Sequence, residues 1–292
     1  MRPPCPRDLV LPLPPIAEVH LSVNNASVRL IWDKVFRRLD GYHLKMKHVF
    51  AALVLVLLAA PAYAQDYDKG LEAYERGDHA TALEAWRAAA DQGDARAQNN
   101  LGGMYDAGLG VPQDDGEAAK WYRLAGEQGL VWAQLNLAHM YREGLGVPQD
   151  HGEAVLWYRM AAERGFILAQ SNLGWMYLNG LGIQQDNGAA AHWYQRAAEQ
   201  GDAEAQNNLG ILYATGRGVP QNEVQAYVWL KLAAAQGYPE AARNRSLSAE
   251  SLSPAKLSEA NLLAREKQAS VAGRRSEDDD LDRNLKSRNV RY

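Results

Sequence analysis

The sequence is nearly free of cysteine, because Cys5 is the only one among its 292 residues. A chain with one cysteine cannot form an internal disulfide, and it cannot bind zinc through a set of thiolates. Its folded part therefore has to be stabilised by packing alone.

Patterns typical of catalysis are also scarce. The sequence has no Gly-x-Ser-x-Gly nucleophile motif. Four histidines, His79, His139, His151 and His192, are too scattered to predict a ligand set, and packed or solvated histidines are the simpler interpretation. We therefore predict no catalytic residue, no metal site and no cofactor.

An excess of positive charge is absent as well. The 228 residues from Gln65 onward carry 23 Lys and Arg against 31 Asp and Glu, a net charge of −8. Proteins that bind a phosphate backbone or an anionic membrane surface need clustered positive charge. The charge balance argues against both kinds of ligand.

Long hydrophobic runs are limited to one of twelve residues, Val49 to Ala60. Lys47 and His48 precede it and Ala-Tyr-Ala follows at 62–64, the layout of a secretory signal peptide at 46–64. The alternative, a membrane anchor, needs roughly 20 apolar residues. We expect cleavage before Gln65, a periplasmic or secreted product without stable membrane insertion, and a true start at Met46 that leaves 1–45 as a doubtful leader.

One seven-residue turn recurs every 36 residues. It reads GLGVPQD at 108–114 and at 144–150, GLGIQQD at 180–186, and GRGVPQN at 216–222. A fixed period of this length is typical of stacked helical hairpins. The predicted units are an N-terminal hairpin at 65–93, repeats at 94–129, 130–165, 166–201 and 202–237, a C-terminal capping helix region at 238–266, and a disordered charged tail at 267–292.

Each repeat predicts two helices with apolar faces. In the first helix Ala97, Leu101 and Tyr105 recur at i, i+4 and i+8, and in the second Ala118 and Trp121 belong to a pattern at i, i+3, i+4 and i+7. Four copies at one period favour a core role for the tryptophans over a cofactor cage. The predicted fold class is all-α, an α/α solenoid superhelix of stacked helix-turn-helix repeats.

The residues of the turn are predicted to end one helix and to begin the next. Gly108 is placed to end the first helix in the left-handed conformation, and Asp114 is placed to cap the second. Glu117 and Glu153 follow their caps by three residues and predict capping boxes. An asparagine recurs in each first helix, and we interpret its amide as bonded to turn backbone; these residues are Asn100, Asn136, Asn172 and Asn208.

The repeated segment AQNNLGGMYDAGLGVPQDDGEAAKWYRLAGEQG and its successors resemble Sel-one-like repeats, relatives of tetratricopeptide repeats. This resemblance implies a non-enzymatic scaffold that binds a protein partner in a groove lined by the first helices, in envelope signalling or cell-wall processes. Some secreted relatives are cysteine-rich and are credited with β-lactam binding. This chain lacks those cysteines, which weakens the transfer of that activity. A β-lactam-binding or hydrolysing enzyme, or a cell-wall-acting one, is therefore the alternative to the scaffold.

A second stripe of each first helix varies from repeat to repeat and is the candidate partner site. It occupies positions i, i+3 and i+7, and in the two middle repeats it is rich in large apolar residues. The alternative is that these residues pack against the neighbouring hairpin. The partner is unidentified, and we expect a monomer. The predicted partner-binding residues are Arg96, Asn99, Trp132, Leu135, His139, Leu168, Ser171, Trp175, Glu204, Asn207 and Ile211.

Export is directly testable. Because the apolar run is followed by Ala-Tyr-Ala, N-terminal sequencing of the chain recovered from the periplasm should begin at Gln65. Recovery of a membrane-bound chain that retains Met46–Ala64 would contradict the signal peptide and favour the anchor.

Overall fold

The structure is a computed structural model that describes residues 66–287, with side chains described up to Gly273. These residues form twelve helices and no strand, which confirms the all-α class. The predicted leader and signal peptide lie outside the described residues. The helices are α1 (66–75), α2 (His79–Asp91), α3 (Ala95–Ala107), α4 (Asp115–Glu127), α5 (Val131–Glu143), α6 (His151–Glu163), α7 (Ile167–Asn179), α8 (Asn187–Glu199), α9 (Ala203–Thr215), α10 (Glu223–Ala235), α11 (Ala241–Glu250) and α12 (Pro254–Ser287).

The helices pack in sequence order. The pairs α3–α4, α5–α6, α7–α8 and α9–α10 form four hairpins, and we call their members first and second helices. Each second helix also contacts the first helix of the next hairpin, and α11 and α12 pack on α10. Most of the packing is therefore between helices that follow one another in the sequence, as in a solenoid, with further contacts between α7 and α9 and between α9 and α11.

The predicted apolar faces form the core. In the second repeat Ala133 and Leu137 of α5 are fully buried, as are Ala154 and Tyr158 of α6. Small alanines let the two helix backbones approach closely, and the aromatic rings fill the space between hairpins. Trp157 illustrates this, because its ring lies 3.1 Å from the point that a Cβ on Gly126 of the preceding repeat would occupy.

Helix ends follow the turn sequence. Gly144 ends α5 with φ +76°, and the Asp150 carboxylate accepts the backbone N–H of Glu153 at 3.1 Å. The predicted capping boxes lack their reciprocal bond. The Asp150 N–H donates to the carbonyl of Tyr141, and the Asp114 N–H is occupied in the same way, so neither needs a glutamate side chain.

The second glycine of each turn brings successive repeats into backbone contact. A Cβ on Gly146 would lie 2.1 Å from the carbonyl carbon of Asp115, in the first turn of the preceding second helix. Only a residue without a side chain allows this approach, and the φ of +64° also favours glycine. The equivalent contacts are Gly182 with His151 at 2.1 Å and Gly218 with Asn187 at 2.2 Å.

A buried glutamine in each first helix bonds the end of the preceding second helix. The amide nitrogen of Gln134 donates to the carbonyl of Gly126 at 3.0 Å. The same carbonyl also accepts the backbone N–H of Gly129 at 2.9 Å, so the glutamine adds a second hydrogen bond at the end of the preceding helix. The equivalent bonds are Gln98 to Ala90 (3.1 Å), Gln170 to Ala162 (3.1 Å) and Gln206 to Ala198 (3.0 Å).

The other end of this glutamine is satisfied in three repeats out of four. Gln128, Gln200 and Gln236 each donate to the amide oxygen of the buried glutamine thirty residues earlier. In the second repeat the corresponding residue is Arg164, which donates to the carbonyl of Gly129 instead. The amide oxygen of Gln134 is consequently buried without a hydrogen-bond partner.

The C-terminal helix is longer than the sequence pattern predicts. Ala260 and Ala264 of α12 are buried, and the ammonium of Lys267 lies 4.4 Å from the ring centre of Trp229. The prediction of a disordered tail from residue 267 is wrong for 267–287, which are helical.

The glycine contact gives a matched pair of variants. Gly146→Ala should destabilise the fold by about 1–2 kcal/mol through its positive φ and by about 1–3 kcal/mol more through overlap with Asp115. Gly165→Ala, with φ +91° and no atom within 4 Å of the added Cβ, should show the φ cost alone. Urea unfolding of both would measure the difference, and equal losses would show that the repeat contact contributes nothing.

Candidate protein-binding face

The variable stripe lies on the first helices and separates into three rows across α3, α5, α7 and α9. We call these rows together the first-helix face. The first row is Arg96, Trp132, Leu168 and Glu204; the middle row is Asn99, Leu135, Ser171 and Asn207; the last row is Gly103, His139, Trp175 and Ile211.

The middle row packs between repeats. Ser171 is 5% exposed and its hydroxyl donates to the Asp202 carboxylate at 3.1 Å, while Asn207 is 1% exposed and accepts from Asn244 at 3.0 Å. For Ser171 and Asn207 the inter-repeat alternative holds, and their assignment to an open groove is wrong. Leu135 is half-buried against the core, and Asn99 is half-buried beside Asn100.

The first row is apolar in its centre and exposed. Trp132 is 55% exposed and Leu168 is 48% exposed, in adjacent first helices. The Trp132 ring meets the Phe166 ring edge to face, with centroids 4.5 Å apart, so the tryptophan is held in place while its outer surface stays open. At the N-terminal end of the row, Arg96 forms an ion pair with Asp94, and its guanidinium lies over the Tyr67 ring.

The last row is organised around Arg142, a residue that the stripe pattern misses. One guanidinium nitrogen donates to the Asn172 amide oxygen at 2.6 Å, and another lies 3.1 Å from Nδ1 of His139. The guanidinium carbon is 5.9 Å from the centre of the Trp175 ring, which is 36% exposed. Arg142 therefore fixes His139 and Trp175 relative to each other. The stripe pattern does not include it, because the pattern ends at position i+7, which is His139, and Arg142 lies three residues further along the helix.

The C-terminal end of the face is acidic. Asp202 and Glu204 open α9, and Tyr238 lies close to both. Partial burial raises the pKa of Glu204, and the charge of Asp202 raises it further, whereas Arg142 acts in the opposite direction. Burial, with a contribution from Glu204, likewise raises the pKa of Tyr238. Within the part of the chain whose side chains are described, neither carboxylate forms an ion pair, and Arg142 offsets the charge of Glu204 only from a distance.

A pocket of about 280 Å³ continues the last row beyond Ile211. It lies between the final repeat and α11, and its lining is mixed, with Ala226 and Leu230 on one side and Asn244 and Ser248 on another. Ile211, a predicted partner-binding residue, is half-buried at its edge. The pocket has room for one large side chain.

The recurrent asparagines do not bond the turns. The Asn172 amide donates to the carbonyl of Leu168 in its own helix at 2.7 Å. The turn is closed by its own glutamine instead, as where Gln149 donates to the Arg142 carbonyl at 2.8 Å. The asparagines are half-buried on the first helices, so the interpretation as turn-bonding amides is wrong.

Two features bear on metal binding and on nucleophilic catalysis: clusters of His, Cys, Asp and Glu, and a Ser-x-x-Lys sequence of the kind found in β-lactamases. Among the described residues, no group of three or more His, Cys, Asp and Glu is close enough to hold a metal ion. The Ser-x-x-Lys sequence at 253–256 begins α12, where the Ser253 hydroxyl accepts the Lys256 N–H at 3.4 Å and the Lys256 ammonium pairs with Glu223 at 3.5 Å. That serine is therefore a helix cap.

None of the helices described is both long enough and apolar enough to cross a bilayer. Exposed apolar side chains also occur on the opposite, second-helix face, where Leu124, Leu156 and Met160 are between 44% and 51% exposed.

These features define the chain as an α/α repeat solenoid with an exposed aromatic face. The family model described as Sel1 repeat matches residues 95–130, 133–166, 167–202 and 203–238. The chain is 36% identical to the Sel1 repeat protein from Oxalobacter formigenes, with a TM-score of 0.57, over 60% of this chain and 70% of that one. The chain belongs to the Sel1 repeat family.

A second solved structure supports the fold. The chain is 34% identical to c5321, a protective antigen of uropathogenic Escherichia coli with an SLR fold, with a TM-score of 0.63. The match covers 74% of this chain and 47% of c5321, so the chain spans about half the length of that relative. No curated protein matches the chain significantly.

The raised pKa of Glu204 predicts a pH-dependent effect on stability. The folded state binds this proton more tightly than the unfolded chain, so the ionised carboxylate opposes folding at neutral pH. Glu204→Gln should therefore be more stable than the wild type at pH 7, and the difference should shrink as pH falls through the folded pKa and vanish below about 4.5. Thermal unfolding from pH 3 to 8 tests this, and a less stable variant at pH 7 would contradict it.

Proposed function

We propose that the chain is a non-enzymatic scaffold of the bacterial cell envelope that binds a protein partner on its first-helix face, possible roles being the regulation of signalling or of cell-wall processes. The observation that carries this proposal is the exposure of Trp132, Leu168 and Trp175 in two consecutive repeats. Tryptophan is enriched among residues that dominate binding energy at protein interfaces. The family supports the same reading, because Sel1 repeat proteins generally act as interaction scaffolds.

The arrangement of the two tryptophans favours a binding role over a stabilising one. Each is fixed on one side by a neighbour, Trp132 by Phe166 and Trp175 by Arg142, and each leaves surface open. A side chain that is already immobilised loses little conformational entropy when a partner covers it. Localisation in the periplasm or outside the cell, after cleavage before Gln65, and a monomeric state are parts of this proposal.

The enzyme alternative has less support. A β-lactam-binding or cell-wall-acting enzyme would need a nucleophile, a base or a metal arranged around a cleft. The titratable side chains of the first-helix face are Glu204, whose neighbours are carboxylate and tyrosine, and His139, which contacts Arg142. Among the hydrogen bonds of the described residues, His139 bonds Arg142, and neither it nor Glu204 bonds a hydroxyl or a thiol.

The proposal is tested by removing both aromatic anchors. Trp132→Ala combined with Trp175→Ala should weaken capture of the partner by about 30-fold or more per tryptophan, since such an anchor contributes ~2 kcal/mol or more. The measurement is affinity capture from an envelope extract with the purified chain as bait, followed by titration of the captured protein.

The control is Leu124→Ala with Leu156→Ala, which removes comparable exposed apolar surface from the second-helix face. Both double variants should remain folded in urea unfolding, although the tryptophan variant should lose some stability with its contacts to Phe166 and Arg142. Unchanged capture by the tryptophan variant, together with turnover of a β-lactam or wall fragment by the wild type, would support the enzyme alternative instead.

A further inference from the structure

The acidic end of the first-helix face carries two neighbouring carboxylates, Asp202 and Glu204. Among the described residues, no Lys or Arg side chain forms an ion pair with Glu204 or Asp202. Asp202 accepts hydrogen bonds from the Ser171 hydroxyl and the Ala205 N–H, which leaves its negative charge uncompensated. Glu204 is exposed beside it. Two neighbouring carboxylates that have no ion-pair partner repel each other and attract positive charge.

This acidic end is continuous with the exposed apolar part of the first row. The Ser171–Asp202 hydrogen bond joins α7 to the start of α9. Leu168 lies one helical turn before Ser171, and Glu204 lies two residues after Asp202. Trp132 and Leu168 therefore lead across successive helices to Glu204. The order along the row is aromatic, aliphatic and acidic.

We propose that the first row binds an extended protein segment that carries a large apolar side chain and, about three residues away, a Lys or Arg side chain. The apolar side chain covers Trp132 and Leu168, and the cation pairs with Glu204 and Asp202. The spacing applies to the step from Leu168 on α7 to Glu204 on α9, two first helices that contact each other. Packed helices lie about 8–10 Å apart, and an extended chain advances about 3.3 Å per residue. This inference rests on the proposed function and names the chemistry of the partner.

The electrostatics of the chain favour this occupant over an acidic or neutral one. From Gln65 onward the net charge is −8, which disfavours acidic partners over the whole surface. Partial burial and Asp202 raise the pKa of Glu204, and a cation supplied by a partner would relieve that unfavourable environment. The only positive charge acting on Glu204 from within the face is Arg142, which is engaged by Glu143 at 2.7 Å and by Asn172 at 2.6 Å.

The test uses a random twelve-residue peptide library displayed on phage and selected on the purified full chain. Enriched peptides should share an apolar residue and a Lys or Arg about three positions away, in either chain direction. The affinity of a synthetic copy of the strongest peptide should fall at least tenfold for Glu204→Lys and less for Glu204→Gln. It should be unchanged for Glu163→Lys, a charge reversal at an exposed glutamate of the second-helix face.

A charge exchange completes the test. Replacing the basic residue of the peptide by Glu should abolish binding to the wild type and restore it to Glu204→Lys. Thermal unfolding verifies that both Glu204 variants are folded. Peptides without a basic residue, no enrichment, or equal affinity for Glu204→Lys would overturn this inference.

The outcome separates this inference from the broader proposal. Peptides that lose affinity for Trp132→Ala and keep it for Glu204→Lys would support the first-helix face as a binding surface. They would contradict the recognition of a basic side chain by Glu204. Peptides unaffected by both would contradict the first row as the binding surface, and the envelope-extract capture with the double tryptophan variant then decides the proposed function by itself.

Discussion

The stack depends on the backbone contact between the second glycine of each turn and the first turn of the preceding second helix. At Gly146, Gly182 and Gly218 the two backbones are so close that no side chain fits between them. Such a contact tolerates no sliding of one repeat on the next. Since the same contact recurs at the same place, each hairpin is added to the previous one in the same register, and the period of 36 residues follows from that register.

The side chains between the hairpins are consistent with this fixed spacing. Fully buried alanines such as Ala133 and Ala154 allow the helices to approach, and Trp157 and Tyr158 fill the remaining space. The buried glutamines satisfy helix ends that the close approach removes from water. At Arg164 the pattern changes and the Gln134 amide oxygen is left without a partner, which marks the second repeat as the least completely bonded of the four.

A stack built this way leaves two rows of the first-helix face open to solvent, and the residues in these rows differ from repeat to repeat. Trp132 and Trp175 are held by Phe166 and Arg142 but are not covered by them. Ser171 and Asn207 lie between these exposed rows and bond neighbouring elements. The same three-position stripe thus supplies both surface and packing, because at about 100° per residue the middle position is turned roughly 40–60° around the helix from the other two.

The sequence by itself determined the fold class, the repeat period, the apolar faces and the capping residues Gly144 and Asp150, because these depend on local periodicity and on conformations that few residues adopt. It also placed Trp132, Leu168 and Trp175 on the variable stripe, but it left open whether they are exposed or packed against the next hairpin. Only the tertiary structure decided that Ser171 and Asn207 are buried, that Arg142 organises the last row and that α12 continues to Ser287. Those outcomes depend on which helix lies beside which, and contacts between residues some thirty positions apart leave no mark in the periodicity of a single helix.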